Sequence, residues 1–194
     1  MTVTLFTDSR IADASQSWQA ICNTDITGWN KANEFIIASF QTTDAPHGNE
    51  TKTCKLQWRR TGGSWADVSA TSEIAWGTST TLVNDAALTL GESGGCQTFD
   101  RGIESEGDNS AAIRVDSGGN GECLWALGFG AGAQFSQEYE INLYNVTDST
   151  EAELQTSITT AAAPAGWTGT VDGVTNPSNV DGLAVANINN VDGV

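Results

Sequence analysis

Few side chains in this 194-residue sequence could run covalent or acid–base chemistry, and their neighbours limit each one. His47 is the single histidine and sits in Pro46-His47-Gly48, a turn sequence. A Ser-His-Asp or Cys-His nucleophile needs an imidazole held by a third group, which a solvated loop does not supply. Carboxylates are plentiful, with close pairs at Glu104/Glu106 and Glu138/Glu140. A glycosidase needs two of them about 5–10 Å apart across a cleft. A chain with 24 acidic residues offers such pairs by composition alone. The run from Asp116 through Asn120 to Glu122, with Glu104, Glu106 and Asp108 nearby in sequence, carries oxygens of the kind calcium takes, but not in EF-hand order. It reads as an acidic turn. No Gly-rich phosphate cradle precedes a Lys-Ser/Thr pair. No catalytic residue, metal or cofactor is therefore assigned. Asn49-Glu-Thr51 and Asn145-Val-Thr147 match the glycosylation acceptor, which without a secretion signal reads as accidental.

Binding chemistry is better represented. Of the seven tryptophans, Trp58 and Trp125 alternate onto inward faces and read as core. Trp65 and Trp76 flank turns and are the candidate glycan-binding residues, since an exposed indole can stack on a sugar ring. Trp29 and Trp167 bracket the domain, each suited to docking an arm. Cys22, Cys54, Cys96 and Cys123 allow three full pairings, and their spacing fits no zinc pattern. In a reducing compartment they are expected as free, buried thiols.

The net charge of −16 is unevenly spread: all eight basic residues lie at or before Arg114, and ten acidic residues follow Val115. Such a surface repels phosphate, so neither nucleic acid nor an anionic membrane is an expected partner. No stretch approaches the roughly 20 apolar residues of a membrane-spanning helix. The opening Met-Thr-Val-Thr-Leu-Phe-Thr-Asp lacks the basic and apolar regions of a secretion signal. Folding in a cytoplasm is the expectation.

The elements that would position these residues are strands. Cys54, Leu56 and Trp58 alternate with Lys55, Gln57 and Arg59, and Gly62-Gly63 then permits a hairpin toward Trp65–Val68. A loop with a glycine bulge that sets Trp58 opposite Val68 and Arg60 opposite Ala66 keeps the apolar residues on one face. Phe35–Phe40 and Glu122–Phe129 are apolar on both faces and so central, the latter expected beside the Cys54–Arg60 strand. Ile74–Trp76, Thr80–Leu82, Asp85–Leu90, Ala111–Val115, Glu138–Leu143 and Ala152–Ile158 complete seven to nine short strands, predicting an all-β two-sheet sandwich over 34–160. Residues 1–33 read as an N-terminal arm, with a short strand at Thr2–Phe6 and a helical turn from Asp8 through Ala20.

Ala161–Gly166 has linker composition. Beyond it Val171-Asp-Gly-Val174 recurs as Val180-Asp-Gly-Leu183 and Val191-Asp-Gly-Val194, starts nine and eleven residues apart. Each Asp-Gly is a turn flanked by small apolar knobs. Units this small cannot bury those knobs alone, so 161–194 is expected to make contacts with another surface. The candidate partner-binding residues are Trp167, Val171, Val174, Val180, Leu183, Ile188, Val191 and Val194.

The Lys55–Val68, Glu122–Phe129 and Glu138–Asn145 segments together resemble immunoglobulin-like or fibronectin-type-III-like domains of tailed-bacteriophage structural proteins. Trp167, Asn176-Pro177, Ala186-Asn187-Ile188 and the Val-Asp-Gly-Val copies resemble short repeats at the ends of phage virion proteins. Those repeats often carry Lys before the valine, where this chain has Asn179 and Asn190. The resemblance implies a non-enzymatic virion component, first of all a capsid decoration protein exposed on the particle and held by its terminal arms. Its implied partners are other capsid or tail subunits and copies of itself; because such arms usually need several copies, a homo-oligomer is expected, with a trimer as one option. The alternatives are a tail-associated adhesin for host-surface glycan and, third, a polysaccharide hydrolase.

Overall fold

The computed structural model describes residues 3–43, 50–78, 80–88, 96, 101–107, 111–115, 119–163, 170–171, 174–175, 179–180 and 183–184. No helix occurs among them, and the chain divides into two units, Met1–Ala161 and Ala162–Val194. The first unit contains β1 (Val3–Asp13), β2 (Ile26–Trp29), β3 (Phe35–Thr43), β4 (Glu50–Arg60), β5 (Ala66–Asp67) and β6 (Ile74–Trp76). It continues with β7 (Arg101–Ser105), β8 (Ala111–Val115), β9 (Asn120–Phe129), β10 (Glu138–Asn145), β11 (Thr150–Glu153) and β12 (Ile158–Thr160).

Two sheets form a sandwich. One runs β1-β3-β9-β6, with β7 sharing the far edge of β9. The other runs β2-β12-β10-β4-β5, with β11 on β10 and β8 on β4. Alternation places Leu56, Ile113, Ile141, Leu143, Ile37, Trp125 and Leu127 in one central core. Trp125 is fully buried and its indole N–H donates to Ser39 Oγ at 2.8 Å. Cys54 and Cys123 lie in the same core as free thiols, with burial pushing Cys54 up to about 12.

The expected partnership of β9 with β4 is not formed. β9 pairs antiparallel with β3, Trp125 opposite Ile37, while β4 pairs with β10, Trp58 opposite Ile141. Face chemistry explains the sorting. Lys55 and Arg59 on β4 match Glu140 on β10, giving a sheet with one wet face, whereas β3 and β9 are apolar on both sides. Their outward residues Ile36, Ala38, Phe40, Leu124 and Ala126 make a second core, covered by Leu82 and Leu88 with Trp18 and Phe6. The chain leaves the β9 edge after β6 and returns to it as β7, so its cover is the connection between them. Leu88 rests on Gly102, where a methyl group would fall 2.5 Å from Leu88 Cδ2. Within that cover Thr80–Leu82 and Asp85–Leu88 are not strands; Ala87 makes only a lone bridge to Ile103.

The N-terminal segment is likewise not a separate arm. β1 pairs with β3 along its length, and the helical turn expected from Asp8 is replaced by strand. A register shift between Leu5 and Ser9 breaks the period-two pattern and hides it from sequence reading. β1 also joins the sheets: Gln155 N–H donates to Thr7 O at 2.8 Å, and Thr156 donates through N–H to Ser9 Oγ and through Oγ1 to Ser9 O.

The hairpin after β4 closes one residue earlier than expected. Gly63 N–H donates to Arg60 O at 2.7 Å, Gly62 takes φ +76, and Trp58 faces Ala66 instead of Val68. The partner moves by two residues, an even slip that leaves every side chain on its predicted face.

The thiol expectation is corrected for half the cysteines. Cys22 and Cys96 form a disulfide, Cα atoms 5.1 Å apart and 74 residues apart in sequence. It ties the turn following β1 to the connection covering the second core. In the chain-entropy picture a loop of that length is worth at most about 4 kcal/mol. Replacing both Cys22 and Cys96 by Ser is therefore expected to lower Tm by roughly 10 °C. Reductant should do the same to the wild type and leave the variant unmoved. Thiol titration of the unreduced, unfolded wild type checks it: four reactive thiols in place of two would remove the bridge from the account.

Candidate functional site

A groove lies between the end of β1, in one sheet, and β2, in the other. β1 ends at Asp13, whose carboxylate shapes the next turn: Oδ1 accepts from Ser15 Oγ at 2.6 Å, Ser15 N at 2.9 Å and Ser17 N at 3.1 Å. The Ser15 hydroxyl, helped by those amides against a modest burial penalty, holds Asp13 below the usual carboxylate range. The opposite wall is β2, an edge strand held parallel to β12, and the loop 30–34 closes the end. The space is about 980 Å³ and is lined by Asp13, Gln19, Asp25, Trp29, Asn33 and Glu34 among others. None of its lining residues is a cation.

Each carboxylate also holds the fold. Asp25 Oδ1 accepts from Ser157 N at 2.8 Å and Ser157 Oγ at 3.0 Å; Glu34 Oε1 accepts from Thr78 N at 3.0 Å. Trp29 is fixed from two sides. Its indole N–H donates to Asn33 O at 3.1 Å, and its ring meets Phe35 edge-on at 5.9 Å. The arrangement suits binding: rigid aromatic surface, spare amide groups and carboxylate oxygens facing water. Sequence reading saw Trp29 only as a dock for an arm. The one signal available was an aromatic residue next to the polar run Asn30–Asn33.

The predicted stacking pair is engaged within the protein. Trp76 lies on β6 opposite Leu127 and packs against the central core. Trp65 lies in the hairpin just before β5, where the Arg59 guanidinium sits 4.1 Å from its ring centroid. Arg59 pairs in turn with Glu140 and, at 2.8 Å, with Glu153. Trp58 is part-buried against the core, and its indole N–H is buried without a hydrogen-bond partner among the described residues.

The carboxylate pairs are occupied as well. Glu138 accepts from Thr61 Oγ1 and Ser157 Oγ, Glu104 from Val83 N, and Glu106 from Thr80 Oγ1. Glu122, expected in an acidic turn, is buried in β9. Asn145 is buried and donates to Asp148 Oδ2, so it offers no glycosylation acceptor to solvent. His47, Asn49, Asp108 and Asp116 lie outside the described residues.

A second polar cluster locks the hairpin to the core. Arg60 binds Glu73 through both Nε and Nη2, Glu73 Oε2 accepts from Tyr139 OH at 3.0 Å, and Tyr139 OH accepts from Gln134 N at 2.8 Å. Tyr139 then carries contact inward, to Trp58 at 6.0 Å and Phe129 at 5.5 Å. Burial raises the phenol, while Arg60 holds the Glu73 carboxyl below its usual range.

Among its described residues the second unit has four two-residue strands: β13 (Thr170–Val171), β14 (Val174–Thr175), β15 (Asn179–Val180) and β16 (Leu183–Ala184). Val171 pairs with Val174 and Val180 with Leu183, so each pair brackets the Asp-Gly of one repeat copy. Trp167, Ile188, Val191 and Val194 lie outside the described residues.

Tyr139→Phe is expected to cost about 1–2 kcal/mol, because Gln134 N–H loses its acceptor and Glu73 a donor. Glu73 contributes through a folded pKa below its unfolded one. That stability is complete above the ordinary carboxylate range and is lost as pH falls through the depressed value. Glu73→Gln should therefore melt lower than wild type at neutral pH and converge with it in acid. Parallel melting curves at every pH would rule out the linkage.

No family model and no curated protein matches this chain. Among solved structures, a family 123 glycoside hydrolase from Clostridium perfringens, described for its hydrolysis of glycolipid glycans, is similar at 12% identity and a TM-score of 0.41. The match covers 84% of this chain and 28% of the enzyme chain, so this sequence spans little more than a quarter of that protein's length.

Proposed function

We propose that this chain is a non-enzymatic structural protein of a tailed-bacteriophage particle, a surface module of immunoglobulin-like type that attaches through its C-terminal unit. Capsid decoration is the role it fits best. One observation carries the reading. Everything after Ala161 forms its own unit, and its paired strands have two residues each, placed on the apolar-Asp-Gly-apolar copies. A lone two-stranded hairpin is marginal in water, so such strands gain stability by laying Val171, Val174, Val180 and Leu183 on a larger surface. Those residues, with Trp167, Ile188, Val191 and Val194, are the attachment set.

Two further points agree with a scaffold role. The carboxylates a hydrolase would use at Glu138 and Glu140 serve hydrogen bonds and an ion pair within the sandwich. An adhesin built on Trp65 with Trp76 would need both rings free for a sugar, whereas Trp76 packs against the core and the Trp65 ring carries the Arg59 guanidinium.

The test uses the full chain carrying Val171→Asp, Val174→Asp, Val180→Asp and Leu183→Asp together. Each buried aliphatic side chain contributes about 1.5–3 kcal/mol. Self-association by analytical ultracentrifugation, and binding to purified capsids, should therefore weaken at least about a hundredfold. Circular dichroism of the sandwich should stay unchanged. A variant that associates and binds capsids like wild type would refute attachment through this unit.

A further inference from the structure

Beyond that role, we infer that the groove between β1, β2 and the loop 30–34 is a binding site for a neutral sugar, at the scale of one or two hexose rings. The site is distinct from the attachment unit and uses none of the residues expected to bind glycan.

The lining selects the ligand class. Asp13, Asp25 and Glu34 put three carboxylates around a space with no lining cation, so phosphate, sulfate and sialylated groups are repelled. What carboxylates and amides accept well is the hydroxyl proton, which a sugar presents in number. Acceptors are to spare. Both hydrogen bonds that Asp25 accepts from described residues go to Oδ1, from Ser157, which leaves Oδ2 without a partner among them. The Asn33 side-chain amide makes no hydrogen bond to any described residue, and Asn30 uses only its Oδ1, accepting from Ala32 N at 3.0 Å. These groups supply donors and acceptors side by side, as a ring with alternating hydroxyls requires.

The apolar half of the match is Trp29. Its indole is locked by Asn33 O and Phe35 before any ligand arrives, so little ordering entropy is lost on stacking. Ile26, Ala14 and Ala32 add small apolar surface beside it. A pocket of about 980 Å³ lies at the upper end of the range for small-molecule sites. Gly28, at φ +73 with open space around it, keeps the strand wall low where a ring would lie.

The probes are lactose, cellobiose, maltose and diacetylchitobiose, read by saturation-transfer NMR on the full-length protein, with sialyllactose and glucosamine as controls. At least one neutral disaccharide should receive saturation at its ring protons, and sialyllactose should not. Asn33→Ala, which removes a side chain that bonds nothing in the fold, should weaken that binding about tenfold, the effect of one lost hydrogen bond. Thr27→Arg, on the exposed edge of β2, should block it. Both variants should melt with the wild type. The inference is overturned if no neutral disaccharide binds, if binding survives both substitutions, if sialyllactose binds equally well, or if only the amino sugar binds.

Discussion

Strands β3 and β9 are dry on both faces, and that requirement shapes the rest of the molecule. One face is met by the second sheet in the ordinary way of a sandwich. The other is covered by Leu82 and Leu88, from between β6 and β7, together with Phe6, Trp18 and Cys96. Leaving Ile36, Phe40 and Leu124 in water would cost about 1.5–3 kcal/mol each. The described backbone groups of this cover are met by neighbours, Asp85 N–H by Glu104 O and Leu88 N–H by Gly102 O, and side chains add to these: Val83 N–H is met by Glu104 and Glu106 N–H by Asn84. The Cys22–Cys96 bridge fastens the same layer from its other side. Cover, carboxylates and disulfide answer one packing demand.

The outer face of the second sheet follows the opposite logic. Lys55, Gln57 and Arg59 on β4 meet Asp67, Asn142, Glu140 and Glu153 across neighbouring strands. Exposed pairs of this kind add little stability individually. What they do is spend nearly all the basic residues of this sheet within the protein, and Lys52 is likewise held by Asp148 and Glu50. The unneutralised charge therefore lies elsewhere, the groove walls included.

Sequence reading succeeded where one rule acted alone. Alternation in Cys54–Arg60 and Glu138–Leu143 placed β4 and β10, and unbroken apolar runs marked β3 and β9 as interior. It failed where two influences overlapped. β1 was read only as far as Phe6, because its register shift puts Leu5 and Ser9 out of phase. β7 was lost because Gly102 reads as a turn residue, although its bareness is what seats Leu88. Apolar runs told that β9 was covered twice without naming its neighbour; only the polarity of the neighbouring faces sorts the pairs. The disulfide left no trace, since a separation of 74 residues carries no geometry. The groove was invisible for a similar reason. Asp13, Trp29 and Asn33 gather only once β1 and β2 have joined different sheets.

β12 has a mechanical consequence. The C-terminal unit is tethered to the sandwich through this three-residue strand, which lies between β2 and β10 and not at a margin. A tug transmitted along the tether would therefore load two ladders at once, together with the Ala161–Trp29 backbone bond. Load shared in this way must break more than one ladder before the strand comes free.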